Sequence, residues 1–423
     1  MTLRSPLLSC ALALVAAGIG PVAAASAQTV EPATAILTLD RALDLAGTVS
    51  PDVQAADAAL RAASAARDVA RLRPNPSLNT DFENVGGSRA YDSIEAPKQT
   101  VSVGLPVELG GKRSARIAVA TAMGERAQID RTAAGAELRL LVTQAYIEAV
   151  AADRRLATAR EQAGIADEGL RAAHIRVIAG SASPLEEQRA QLVSVTAKAA
   201  VDRASRLAAL SRANLGRRIG RPITAALDQA WFDRVNTLGL SGRPAGGLAV
   251  AAARADQRTA EAQVRLARSQ RIPDVTVSAG VRRLPVNNDL AAVFGVSVPL
   301  PLLNTGKAAV SQAAAERDRA DALRRSAELE NDQAIDRAAT DVANAADSAR
   351  TAAGPALAAA TEAARIARIG YREGKFGQLD LLEAERTLAE TRAAAIDALA
   401  AYHDAQARLE RLTAAAPEPA KDN

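Results

Sequence analysis

Between Arg368 and Glu383 the chain gathers Tyr371, Lys375, Phe376, Asp380 and Glu383, with further cations and carboxylates, around one turn. Carboxylates and cations beside a phenol can pair, hold a cation or exchange protons. Equally, Asp380 and Glu383 read as solvated acids of a helix's first turn, where the helix dipole favours negative charge. Other chemistry is thinly supplied. His174 and His403 are the only histidines, on different helical stretches with no cysteine or methionine cluster beside them. Metal-ligand spacing is therefore missing. The single cysteine is Cys10. There is no glycine-rich phosphate loop next to a strand and no nucleophile–base constellation. Neither an enzyme nor a cofactor is expected.

The elements that position this turn are long. About 65 residues upstream, from Gly306, and about 35 downstream, from Gln378, read as helix. Gly374 and Gly377 are expected to supply the positive backbone angles of a reversal. The stretch is thus the tip of a long antiparallel helical hairpin. A plainer tip, Gly180-Ser181-Ala182-Ser183-Pro184 followed by Leu185 and Glu186, closes an equivalent hairpin earlier in the chain. Pro355, after Gly354, removes a helix hydrogen bond and is expected to kink the second long helix.

Composition agrees with long helices. Of 423 residues 48% are hydrophobic, yet only 2% are aromatic, and alanine carries much of the apolar share. Alanine forms helices well and lets them approach closely, but fills a large core poorly. The net charge of +4 comes from 52 basic and 48 acidic residues interspersed along the helices. That pattern reads as solvated faces laced with ion pairs, not a nucleic-acid surface.

Arg4, an apolar run from Leu7 to Ile19 and Ala25-Ser26-Ala27 read as a secretory signal ending at residue 27. Cys10 lies inside that run. No later stretch of about 18 apolar residues predicts a membrane-spanning helix.

Residues 38–72 read as helix, broken near Ser50-Pro51, with Thr38 and Asp40 able to cap it. Two stretches of period two follow. One has Leu78, Thr80 and Phe82 on one face; the other has Val101, Val103, Leu105, Val107 and Leu109. Both predict β-strands, about 76–84 and 99–109. A loop from Gly86 to Lys98 joins them. Gly110-Gly111 opens a helix of about 68 residues, roughly 100 Å long, and Pro184 starts its return helix to 219. Residues 220–247, with Trp231, read as a linker with little structure of its own.

The pattern then repeats. A helix over 248–270 leads to strands about 273–282 and 291–300, a hairpin over 306–413 with its tip near 374–378, and a tail, 414–423. Pro76 matches Pro273, Pro106 matches Pro299, Lys112 matches Lys307 and Gly180 matches Gly374, a period of about 195 residues. The mature chain is one duplicated module, 28–219 and 248–413.

Four amphipathic strands cannot close a membrane barrel, which needs about eight. Strands of about 8–11 residues suit a bilayer crossing. Three chains would pool twelve. A soluble β-sandwich is the alternative, but two hairpins of this length have no place on one.

The element order, Arg73-Pro-Asn-Pro-Ser-Leu78, Glu108-Leu-Gly-Gly-Lys-Arg113 and Gly370-Tyr-Arg-Glu-Gly-Lys-Phe376 with Leu379-Asp-Leu-Leu382 resemble the TolC-like outer membrane factor family. The first two motifs most resemble its CzcC-like, heavy-metal efflux branch. The resemblance covers nearly the whole mature chain. It implies an α+β membrane protein: a homotrimer with a twelve-stranded β-barrel in outer membrane lipid, continuing into a periplasmic α-helical coiled-coil tunnel. Pro76, Pro106, Pro273 and Pro299 would mark the junction. It implies docking to a periplasmic membrane-fusion adaptor and an inner membrane RND pump, with no nucleic-acid partner. The tips, with Gly180, Ser181, Pro184, Leu185, Gly374, Gly377 and Leu379, would meet the adaptor.

The resemblance also places a periplasmic gate at the second tip, using Tyr371, Asp380, Glu383 and the partner carboxylate Glu186. Phe376 occupies the family's basic gate position, with Lys375 beside it. A phenylalanine constriction that dewets would replace a cation-mediated lock. Three copies of Asp380 and Glu383 would form a ring of six carboxylates that holds cations. The expected function is an exit duct for divalent metal cations. The alternatives are a drug or small-molecule efflux factor and, from another class, a periplasmic structural or adaptor coiled coil.

Overall fold

Residues 36–85, 98–236, 247–284 and 289–417 are described in a computed structural model of the chain. The stretch expected to be a signal, with Cys10, most of the loop beginning at Gly86, and Pro244 lie outside them.

Alanine-rich sequence with caps at each end makes long helices. α1 (Leu39–Val49) starts on Thr38, whose hydroxyl accepts the Arg41 N–H. Ser50 caps α2 (Pro51–Arg71), with Pro51 in its first turn. The expected break therefore falls at Ser50-Pro51. α3 spans Lys112–Ile178, 67 residues, and returns as α4 (Pro184–Ile219). The second repeat supplies α6 (Leu248–Ser269), α7 (Lys307–Thr351), α8 (Leu357–Arg372) and α9 (Gln378–Leu412). Between α7 and α8, residues Ala352–Ala356 form a π-helical segment in which Gly354 leaves helical angles. Pro355, which has no N–H to donate, sits inside it, so the expected kink is present.

β1 (Ser77–Glu83), β2 (Lys98–Val107), β3 (Val275–Leu284) and β4 (Asp289–Ser297) form one antiparallel sheet in chain order. Its register puts Leu78 opposite Val103, Leu105 opposite Val277, and Ala279 opposite Phe294. One face is therefore continuous and apolar. It is also bare: Leu78, Val103, Val277, Phe294 and Val296 are all exposed. Among the described residues the outer edges of β1 and β4 pair with no other strand. The strand limits differ from expectation by one to three residues, and β3 lies two residues later at both ends. β2 stops at Val107, because Leu109 turns its N–H to the Asp274 carboxylate and Gly110 and Gly111 take positive φ. β4 stops at Ser297, because Pro299 and Pro301 lack ladder donors.

The helices continue the sheet. α2 packs on α3, α3 on α6, and α6 on α7, in the order of the strands they follow or precede. Below, α3 pairs with α4, while α9 packs on α3, α7 and α8.

The largest core lies midway, and the segment read as a linker builds part of it. Leu37 and Leu227 bridge in parallel, and a single helical turn, α5 (Gln229–Phe232), is capped by Asp228. Phe232 is fully buried. Trp231 stacks on His403 at 4.2 Å between ring centres and meets Tyr146 edge-on at 5.5 Å. Tyr146 donates to Leu37 O (2.7 Å) and accepts the Asp228 N–H (2.9 Å). Burial pushes its phenol up to about 12. Bulk absent from an alanine-rich chain is thus concentrated here. His403 bonds Phe232 O at 2.9 Å and belongs to this core.

Candidate functional site

Both hairpin tips close by the same backbone device. In the first, Gly180 takes φ +68 and the Ser181 N–H returns to Arg176 O at 2.9 Å. In the second, Gly374 takes φ +75 and the Lys375 N–H returns to Gly370 O at 2.8 Å. Only glycine adopts these angles without strain, and the bonds satisfy carbonyls left open at the helix ends. Gly377 does not share the role: it is extended, with φ −77, and begins α9. Ser183 caps α4 by accepting the Leu185 N–H at 3.3 Å, with Pro184 in the first turn.

The two tips lie side by side and are joined. The Tyr371 hydroxyl donates to Glu186 Oε1 at 2.5 Å. The Gln378 side-chain amide donates to Glu186 O at 3.0 Å. Arg176, in the last turn of α3, lies 3.7 Å from Glu186 and 4.8 Å over the Tyr371 ring. Tyr371 is buried, and burial first, then the Glu186 carboxylate, raise its phenol above the ordinary value. One turn above, Arg368 is bidentate to Glu385 and ties α8 to α9. In the first hairpin His174 bonds Glu187 at 2.7 Å.

The remaining predicted residues are placed differently. Asp380 is exposed and accepts the Gly377 N–H at 2.9 Å, so it caps α9. Glu383 is exposed one turn further on. Lys375 points to Glu373, at 2.6 Å, and makes no described contact with Tyr371 or Glu186. Phe376 folds back onto its own hairpin: a Cβ at Gly370 would lie 2.1 Å from the ring. Leu185 and Leu379 are exposed at the two tips. Among the described residues no three His, Cys, Asp or Glu side chains gather as a metal site, and no helix is long and apolar enough to cross a membrane.

A second cluster lies where sheet meets helices. Lys112 reaches Asp274 at 2.7 Å, and Asp274 also accepts the Leu109 N–H at 3.1 Å. Arg116 is bidentate to Glu108 and donates to Leu72 O at 3.2 Å; Arg113 donates to Arg71 O at 2.6 Å. Gly110, at φ +69, passes so close to Ile272 that a Cβ would meet it at 2.7 Å. The motif from Glu108 to Arg113 therefore clamps β2, α2, α3 and the approach to β3. Pro76 and Pro273 stand just before β1 and β3, and Pro299 just after β4. Pro106 is in β2 beyond the rungs shared with β1, which end at Gly104.

The outer membrane efflux protein family model matches residues 42–221 and again 246–415, one match for each half. The chain belongs to that family. Its relatives include the cobalt-zinc-cadmium resistance protein CzcC of Cupriavidus metallidurans, 31% identical over 89% of this chain and 90% of its own. The nickel-cobalt-cadmium resistance protein NccC of Alcaligenes xylosoxydans is 33% identical over 80% of this chain and 77% of its own. The solved outer membrane protein VceC of Vibrio cholerae shares the fold, with a TM-score of 0.72 at 19% identity over 89% of this chain and 95% of that one. The MtrE outer membrane channel of Neisseria gonorrhoeae has a TM-score of 0.69 at 20% identity, covering 89% and 88%.

In this efflux protein, sequence reasoning missed Arg176, Gln378, Arg368 and Asp274. Arg176 lies ten residues before Glu186 across a tight reversal, a spacing that puts the two on adjoining turns of α3 and α4. That signal was readable once Gly180 was placed as the turn. Gln378 carried no such signal, because its partner is a main-chain carbonyl of the other hairpin.

Proposed function

We propose that this efflux protein is the outer membrane exit duct of a tripartite RND-type system and that its cargo is divalent heavy-metal cations. The observation that carries the cargo is similarity along nearly the full chain to a cobalt-zinc-cadmium resistance protein, 31% identical over 89% of this sequence. A nickel-cobalt-cadmium resistance protein supports it independently.

In this reading residues 1–27 direct export. Three copies then pool their sheets. The open edges of β1 and β4 supply the pairing, and the bare apolar face meets lipid. The prolines and the cluster of Glu108, Lys112 and Asp274 hold barrel to tunnel. The helical row extends the barrel as a duct, and the tips at Gly180 and Gly374 meet a periplasmic adaptor, which links to an inner membrane pump. Cations pass as cargo, driven by the pump. The gate lies at the tips, where Tyr371 and Glu186 hold the hairpins together and Asp380 and Glu383 present carboxylates to the passing ion.

Deleting the gene and scoring growth on zinc, cobalt, cadmium and nickel beside a panel of drugs tests the cargo. Loss of metal tolerance, restored by the wild-type gene, is expected. Sensitivity to drugs alone would overturn the metal assignment and favour a drug-efflux factor.

A further inference from the structure

We propose that Arg176 supplies the cation of the tip latch, so that the first hairpin rather than the second completes the closing contact. The proposal rests on the gate reading above and names the residue that positions it.

Glu186 is the hub. Its side chain is mostly buried, at 16% exposure, and a carboxylate so placed calls for a counter-charge. Arg176 lies 3.7 Å from it and 4.8 Å over the Tyr371 ring. One planar cation thus touches both partners of the Tyr371–Glu186 bond. Guanidinium suits that double task, since it pairs through its edge and stacks through its face. Lys375 is 72% exposed and is drawn to Glu373, and Phe376 is turned back against Gly370.

The duplication makes the exchange legible. The same tip bond ends on Arg176 O in the first repeat and on Gly370 O in the second. Arg176 and Gly370 are therefore equivalent positions. The first repeat places a long cation there. The second places no side chain, and the space is filled by the Phe376 ring. A tip carrying Phe376 where a cation is expected is thus matched by a cation on the other tip. The contacts named run within and between the two hairpins of one chain.

The test is the closed-state conductance of purified trimers in planar bilayers. Arg176→Ala is expected to raise it about threefold, as suits loss of one partly exposed pair and stack per chain. Arg176→Lys should fall between, keeping the ion pair and losing the stacked plane. Arg176→Ala should add less in a Glu186→Gln background than alone. Tyr371→Phe and Glu186→Gln separate the two readings. If they raise conductance while Arg176→Ala, and Arg176→Gln should the alanine variant assemble poorly, stay at the wild-type level, the role of Arg176 is overturned and the gate stands. If all four stay at the wild-type level, the gate reading falls with it. Lys375→Ala is the competing arm: a rise there with none from Arg176→Ala would move the cation to the second tip and overturn the proposal.

Discussion

Lys112 and Asp274 meet at 2.7 Å, and the pair ties the start of the first long helix to the start of the third strand. It joins the two halves of the duplication at the level where sheet becomes helix. Burial alone would push the Asp274 carboxyl up, but Lys112 and the Leu109 N–H outweigh it and hold it below the ordinary value. Glu108 is held low by Arg116 against a smaller effect of burial. A carboxylate depressed in the folded state adds stability above its unfolded value, 3.8 for Asp274 and 4.5 for Glu108. That contribution is lost as pH falls through the lower folded value. Asp274→Asn should cost about 1 kcal/mol at neutral pH, after allowance for solvent screening. The difference from wild type should shrink as pH falls below 3.8 and through the lower folded value. Thermal unfolding in detergent at several pH values measures both.

Phe232 and His403 should govern the waist. Phe232→Ala removes a fully buried ring and should cost about 3–5 kcal/mol. Burial pushes the His403 imidazole down, partly opposed by its bond to Phe232 O. A histidine buried neutral loses stability as pH drops below its unfolded value, about 6.5, toward the folded one. His403→Phe should flatten that part of the stability profile. A variant as acid-sensitive as wild type between pH 6.5 and 5 would remove His403 from the account.

Gly370 and Phe376 should behave as a pair. Gly370→Ala would bring a Cβ within 2.1 Å of the Phe376 ring, so the ring must leave its seat. Gly370→Ala should raise protease cleavage at the second tip, and adding Phe376→Ala should lower it again. Equal cleavage in the single and double variants would show that the clash relaxes in another way.

Asp380 and Glu383 should separate capping from conduction. Asp380, the third residue of α9, reaches back to accept the N-cap Gly377 N–H, so Asp380→Ala should cost about 0.5–1.5 kcal/mol of helix stability. Glu383 is exposed with no capping bond described, so Glu383→Gln should leave stability within about 0.5 kcal/mol. If the carboxylates ring the pore, Glu383→Gln should still weaken block by divalent cations in single-channel records. Unchanged block would refute the ring.

Much of the fold was legible because two periods carry it. Alternation from Leu78 to Phe82 and from Val101 to Val107 marks strands, and glycines at 110, 180, 306 and 374 punctuate helices that alanine propagates. These signals are local: a pleat, a cap and a positive φ are each settled within a few residues. The repeat, and hence the pairing of tip with tip, followed from the same marks. Pro355 announced its kink for a reason equally local, the missing donor.

Only the tertiary structure decided the contacts between distant segments. Residues 220–247 look like linker because glycine and proline recur across the stretch; Trp231 and Phe232 become core when α9 delivers His403 to them. Gly377 looked like a second reversal, yet one positive φ at Gly374 already turns the chain, and Gly377 is extended instead. The cation beside Glu186 was sought near Phe376, in the same turn. It comes from Arg176, on Glu186's own hairpin; what packing adds is Tyr371, which two hairpins of similar length bring onto both from the other tip, 185 residues away in the chain. Sequence spacing determines which face of a helix a residue occupies. Which helix that face meets is set by packing.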